Sequence, residues 1–153
     1  MRVRRATPVD AEELARLRYA FRAEEAPTVE ELPAFVVRAT GWLRSALASD
    51  RWVAWVAETD GHPVGHVFLQ LVDKVPNPAE ESERLGYLTN AYVDPEHRGA
   101  GVGTRLIDAV TSYAQDERLD CVIVWPSERS EPLYRRAGFR PPPDMLVLSP
   151  PDD

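Results

Sequence analysis

The sequence predicts a mixed α/β fold, and three observations carry that expectation. Apolar runs of strand length are interspersed with stretches of helical periodicity. The run Trp52-Val53-Ala54-Trp55-Val56-Ala57 is apolar throughout, as in a strand covered on both faces. An apolar run ending at Val93 passes through a glycine-rich turn directly into a helical pattern. The predicted order is strand, two helices, three strands, helix, strand, short helix, strand. With 153 residues, and no composition shift or internal repeat, a single domain over 1–153 is expected. A domain of that size buries roughly 70% of the surface its unfolded chain exposes.

Val3 to Ala6 reads as a short first strand. Thr7, Pro8 and Asp10 then make a helix start, with Thr7 as N-cap and Pro8 at the first helical position. Leu14, Leu17 and Phe21 recur at helical spacing. In the second helix Leu32, Phe35, Val36, Ala39, Trp42, Leu43, Ala46 and Leu47 form an apolar stripe. Thr28 and Glu31 resemble a capping box. A helix begun there would enclose Pro33, so a start at Pro33 is expected.

After the 52–57 strand, Asp60-Gly61 is a two-residue hairpin signal. The return strand, 64–72, places Gly65, Val67, Leu69 and Leu71 on one face and Val64, His66, Phe68, Gln70 and Val72 on the other. Residues 73–84 form a polar loop. Its acids Glu80, Glu81 and Glu83 make it either a solvated connection or a negatively charged lid. Residues 88–93 are the strand that feeds the glycine turn. Beyond the turn, Val102, Leu106, Ala109, Val110 and Tyr113 give a buried helical stripe. Residues 121–125 read as an apolar strand stopped by Pro126. A short helix follows, capped by Ser127 or Ser130 and closed by Gly138. A last strand is expected over 145–148, after Pro141-Pro142-Pro143.

The turn itself reads Arg98-Gly99-Ala100-Gly101-Val102-Gly103-Thr104. Glycines there permit positive φ and let backbone N–H groups approach a ligand closely. A helix N-terminus behind them offers orphan donors and partial positive charge, which suits a phosphate. A ligand-free strand-to-helix turn would use the same residues. The dinucleotide pattern Gly-x-Gly-x-x-Gly fails, because its third position is Thr104 or Leu106. A P-loop fails for want of lysine.

What fits is Arg98-x-x-Gly101-x-Gly103, followed by Leu133-Tyr134-Arg135-Arg136-Ala137-Gly138-Phe139. Together, and in this order, they resemble the GNAT superfamily of acetyl-CoA-dependent N-acetyltransferases across essentially the whole chain. The resemblance implies a mostly antiparallel twisted sheet of about seven strands flanked by about four helices. It implies acetyl-CoA as cosubstrate, with direct transfer to a primary amine of a small molecule. Acceptors at a protein N-terminus or lysine, or a non-catalytic acyl-CoA-binding module, are the alternatives.

By the same resemblance, Arg98, Gly99, Ala100, Gly101, Val102, Gly103 and Thr104 hold the pyrophosphate, Val93 offers its N–H to the thioester carbonyl, and Tyr92 is a further cofactor-binding residue. Tyr134 sits at the family's general acid, and a phenol protonated at neutral pH can donate to a thiolate. Ser127 and Ser130 occupy places where relatives often carry asparagine and alanine; each can bond the cofactor or cap the helix. Many relatives carry a glutamate base on the strand before the loop. Residues 88–93 contain no carboxylate, so Asn90 is expected to position a water or the amine, with a loop glutamate assisting.

Composition limits the partners. Lys and Arg total 18 against 25 Asp and Glu, a net charge of −7 that disfavours nucleic acid and mildly favours a cationic substrate. No apolar run reaches membrane-span length, and the first residues lack the apolar core of a secretion signal. One cysteine, Cys121, fits a reducing cytoplasm. No metal site is expected. Homodimers are common in the family, and nothing in the sequence fixes an interface.

Overall fold

The computed structural model describes residues 1–152. Its strands are β1 (Arg2–Arg5), β2 (Trp52–Thr59), β3 (His62–Asp73), β4 (Arg84–Val93) and β5 (Val122–Ile123). The α-helices are α1 (Ala11–Glu25), α2 (Leu32–Ala48), α3 (Val102–Asp116) and α4 (Glu131–Arg136). The strands form one sheet in the order β1-β2-β3-β4-β5, antiparallel except for the parallel β4–β5 pair.

Both faces of the sheet are covered, which is why β2 is apolar along its length. Val53, Trp55 and Ala57 point into a core with Val67 and Leu69 of β3 and Leu106, Ile107 and Val110 of α3. Ala54 and Val56 point the other way, against Leu14 of α1 and Val36 and Leu43 of α2. The β2–β3 hairpin turns at Asp60 and Gly61 with φ of 53° and 80°, the left-handed pair that a tight hairpin needs. Pro33 falls inside the first turn of α2, where its missing N–H has no partner to lose; the helix starts one residue earlier than expected. At the N-terminus, Pro8–Asp10 is a 3-10 turn preceding α1. Asp10 accepts from the Thr7 N–H at 2.8 Å and from Arg4 at 2.8 and 2.9 Å.

Five strands form among the described residues, where about seven were expected. The expected 145–148 strand does not form, and Leu146 and Leu148 are almost fully exposed. The reason lies in β5. It pairs with β4 only at Gly86–Val122 and Tyr87–Ile123 and ends two residues before Trp125, so it offers only a two-residue edge.

β4 contains a bulge. Successive β3–β4 pairs run from His66–Tyr92 to Phe68–Thr89, so β4 spends one residue more than β3 over that interval. Asn90 sits in the extra turn with φ of 54°, a left-handed conformation that asparagine tolerates better than most residues. The bulge follows the last β4–β5 pair, and beyond that pair residues 88–93 and 124–127 border a cleft.

Candidate active site

The cleft encloses about 840 Å³. The second half of β4, the glycine turn, the start of α3 and the segment leading into α4 surround it. Asp94 N–H donates to Val64 O at 2.8 Å, so strand alternation turns the main-chain groups of Val93 to the opposite edge, facing the cleft. Its carbonyl there accepts from Arg98 Nε at 2.9 Å. Its N–H points the same way.

Gly99 and Gly101 have φ of 79° and 82°, and a Cβ on either would meet nothing within 4 Å. These two are therefore required by backbone conformation, not by crowding. Gly103 differs: a Cβ would come within 3.3 Å of Leu133, so it lets α3 pack closely against α4. The first helical bond of α3 runs from Arg105 N–H to Gly101 O at 3.1 Å. The N–H groups of Val102, Gly103 and Thr104 precede it and have no helical acceptor; all three residues border the cleft.

Arg98 is committed more fully than a simple phosphate ligand. Besides Val93 O it bonds Glu24 Oε2 of α1 at 2.8 Å, and its guanidinium stacks over the Tyr92 ring. Tyr92 in turn donates its hydroxyl to Glu24 Oε1 at 2.8 Å and stacks on Phe21 with centroids 5.0 Å apart. Burial, then the Glu24 bond, pushes the Tyr92 hydroxyl up to about 12. The same network, led by the Arg98 bond, holds the Glu24 carboxyl below its usual range. Glu24 thus ties the glycine turn to α1. No local pattern flags it, since the contact spans 74 positions in the chain.

Tyr134 is buried, packs edge-on against Phe139, and borders the cleft beside Leu133. Burial pushes its hydroxyl up to about 12. Ser127 and Ser130 bond one another: Ser127 N–H donates to Ser130 Oγ at 3.0 Å, and the two hydroxyls lie 2.8 Å apart. They close the turn into α4 on one another; Ser130 holds the N-cap position, and neither hydroxyl bonds an N–H within the helix. Asn90 accepts from Arg18 Nη1 at 3.1 Å through Oδ1, while its carbonyl accepts from His66 Nδ1 at 2.7 Å. His66 is fully buried, and that burial pulls its pKa down to about 4. The imidazole is neutral and uses its single N–H to hold the bulge.

The loop glutamates Glu80, Glu81 and Glu83 do not line the cleft. Its charged border consists of Arg18, Arg22, Arg98, Arg129 and Arg136 against Glu25 alone. The negative charge of the whole chain therefore lies elsewhere. Among the described residues no group of three or more His, Cys, Asp or Glu could hold a metal ion, and no helix is long and apolar enough to cross a membrane.

Residues 14–139 match the Acetyltransferase (GNAT) family. The chain belongs to that family. An aminoglycoside N(6')-acetyltransferase type 1 from Stenotrophomonas maltophilia is 32% identical over 138 residues, covering 90% of this chain and 82% of the relative. Among solved structures, a GCN5-related N-acetyltransferase from Ralstonia eutropha JMP134 superposes with a TM-score of 0.77 at 28% identity over 97% of both chains. A predicted acetyltransferase with acetyl-CoA, from Clostridium acetobutylicum, shares the fold with a TM-score of 0.79 at 23% identity, over 97% of this chain and 95% of that one. The mixed sheet with four helices is the GNAT acetyltransferase fold, and the protein is an acetyl-transferring enzyme.

Proposed function

We propose that this enzyme is an acetyl-CoA-dependent N-acetyltransferase that acts directly on a primary amine of a small molecule. The observation that carries the reading is the run of unpaired N–H groups at Val102, Gly103 and Thr104, opened toward a cleft by two left-handed glycines. An arginine-rich border suits a polyanionic nucleotide, and the acetyl-CoA held by the Clostridium acetobutylicum protein supports the same cosubstrate. The aminoglycoside relative supports an amino group as acceptor.

Acetyl-CoA, when bound, supplies an acetyl group activated as a thioester. The α3 N-terminus would hold its diphosphate, each nearby charge gaining about 0.3–1 kcal/mol from the helix dipole. The Val93 N–H would donate to the thioester oxygen as negative charge gathers there. The incoming amine nitrogen forms the new C–N bond as the C–S bond breaks. Tyr134 would give its proton to the departing sulfur, since its raised pKa keeps the phenol protonated and neutral across neutral pH. Asn90 would position the amine or the water that takes the amine proton. Arg98, Ser127 and Ser130 would shape the cofactor channel, whereas Ala100 is exposed and does not line the cleft; Tyr92 would serve through its main chain because its hydroxyl is held by Glu24.

Release of free thiol from acetyl-CoA across a panel of amines tests the reading. Amine-dependent release is expected, and Asn90→Ala should lower it. Thiol release that no amine accelerates would refute the proposed reaction.

A further inference from the structure

Arg18 enters from α1 and reaches the bulge of β4. Its Nη1 donates to Asn90 Oδ1 at 3.1 Å, and its guanidinium lies over the Phe21 ring at 5.6 Å. Both partners are neutral. Two neighbouring arginines are paired: Arg22 with Glu25, and Arg38 with Glu30 at 2.7 and 3.2 Å. Among the described residues no carboxylate pairs with Arg18.

A half-buried guanidinium keeps its charge and retains further N–H donors in a planar fork. Leaving such a group without a counter-charge is unfavourable, and a bidentate oxyanion is the partner that matches it best. Arg18 and Asn90 border the main cleft and also a second cavity of about 330 Å³ on the α2 side of the bulge. Phe35, Trp42, Trp52 and Phe68 wall that second cavity. A small ligand there would have an apolar body against the aromatic rings, and its acidic end would meet Arg18. Its amine would lie beside Asn90, at the mouth of the main cleft. A polycation, by contrast, would meet Arg18 and Arg38 with Glu30 already engaged.

We propose that the second cavity is the acceptor subsite, that the acceptor is an amine also bearing a carboxylate or phosphate, and that Arg18 binds that oxyanion. The proposal rests on the acetyl-transfer reading for the reaction, though the binding of the acid does not.

The test compares matched acceptors: common amino acids against their amides, and aminoalkyl phosphates against the corresponding amino alcohols. Each is assayed by thiol release, and the acidic members are also titrated calorimetrically into the CoA-loaded enzyme. The amide of an amino acid has the less basic amine, so intrinsic reactivity works against the expected result. Wild type should prefer the acidic member of the productive pairs by at least about tenfold in kcat/KM, mainly through KM. Arg18→Gln, which keeps a donor for Asn90, should reduce the preference to about twofold or less, and Arg18→Lys should restore part of it. Carboxylate and phosphate arms identify which oxyanion is preferred. Equal use of neutral and acidic members, or a preference that survives Arg18→Gln, overturns the proposal. If no amine is acetylated yet an acid binds and loses that binding in Arg18→Gln, the subsite stands and the acetyl-transfer reading falls. Absence of both acetylation and acid binding overturns the subsite.

Discussion

His66 Nδ1 lies 2.7 Å from the main-chain carbonyl of Asn90, so a fully buried imidazole holds the β4 bulge in place. The bulge follows the last β4–β5 pair, and beyond that pair residues 88–93 border the cleft. One buried hydrogen bond therefore connects the core of the sheet to the geometry of the site.

That bond has a pH signature. Burial lowers the His66 pKa to about 4 in the folded chain, against about 6.5 when unfolded. The unfolded state binds more protons between those values, so stability rises with pH across the interval and is lost as pH falls from about 6.5 toward 4. The expected slope is about 1.4 kcal/mol per pH unit from this residue. Asp10, whose carboxyl is lowered chiefly by its Arg4 bonds, loses its contribution below that window, as pH falls through the carboxylate range. Urea unfolding of wild type and His66→Gln at pH 4.5, 5.5 and 6.5 checks the claim. A slope that is the same in both proteins would contradict it.

The Glu24 strut should act on the cosubstrate and not on the acceptor. Glu24→Ala removes the partner of Arg98 and Tyr92 together. The side chain is about a third exposed, so little stability should be lost, within about 1 kcal/mol. The KM for acetyl-CoA should rise severalfold as the turn loosens, with kcat nearly retained. Steady-state kinetics with each substrate varied in turn would show it; a change confined to the acceptor KM would not fit.

Tyr134→Phe deletes one oxygen from a buried ring that otherwise packs on Phe139. Cosubstrate affinity should hold while turnover falls, by up to the ~10²–10⁴ typical of a general acid. Because the wild-type hydroxyl is pushed up to about 12, no loss of activity assignable to Tyr134 should appear below about pH 11. Turnover of Tyr134→Phe equal to wild type would remove the hydroxyl from the reaction.

Much of this molecule was legible in its sequence. The unbroken apolarity of β2 announces a sheet covered twice, Asp60-Gly61 announces the hairpin, and Gly99, Gly101 and Gly103 announce the turn. Periodicity and glycine placement are local signals, and those elements depend on local physics. The bulge at Asn90 left no comparable mark, because a single left-handed asparagine within an apolar strand is invisible to alternation. The two-residue length of β5 was equally hidden, and so the strand expected over 145–148 had only a two-residue edge to join. Glu24, Arg18 and His66 act across 74, 72 and 24 positions, where only tertiary structure brings partners together. Net charge is uninformative here for a related reason: a total of −7 says nothing of a cleft bordered mainly by arginines.

If peptide N–H groups behind Gly101 hold the diphosphate of acetyl-CoA, as proposed, calorimetric titration of acetyl-CoA into wild type and Gly101→Val will register the grip. Gly101 has φ of 82° and open space around it, so valine strains the backbone without colliding with neighbours. Saturable one-to-one binding by wild type is predicted, weakened in the variant by at least about tenfold, or about 1.4 kcal/mol. No heat and no rise in melting temperature with wild type, or undiminished affinity in Gly101→Val, would contradict it.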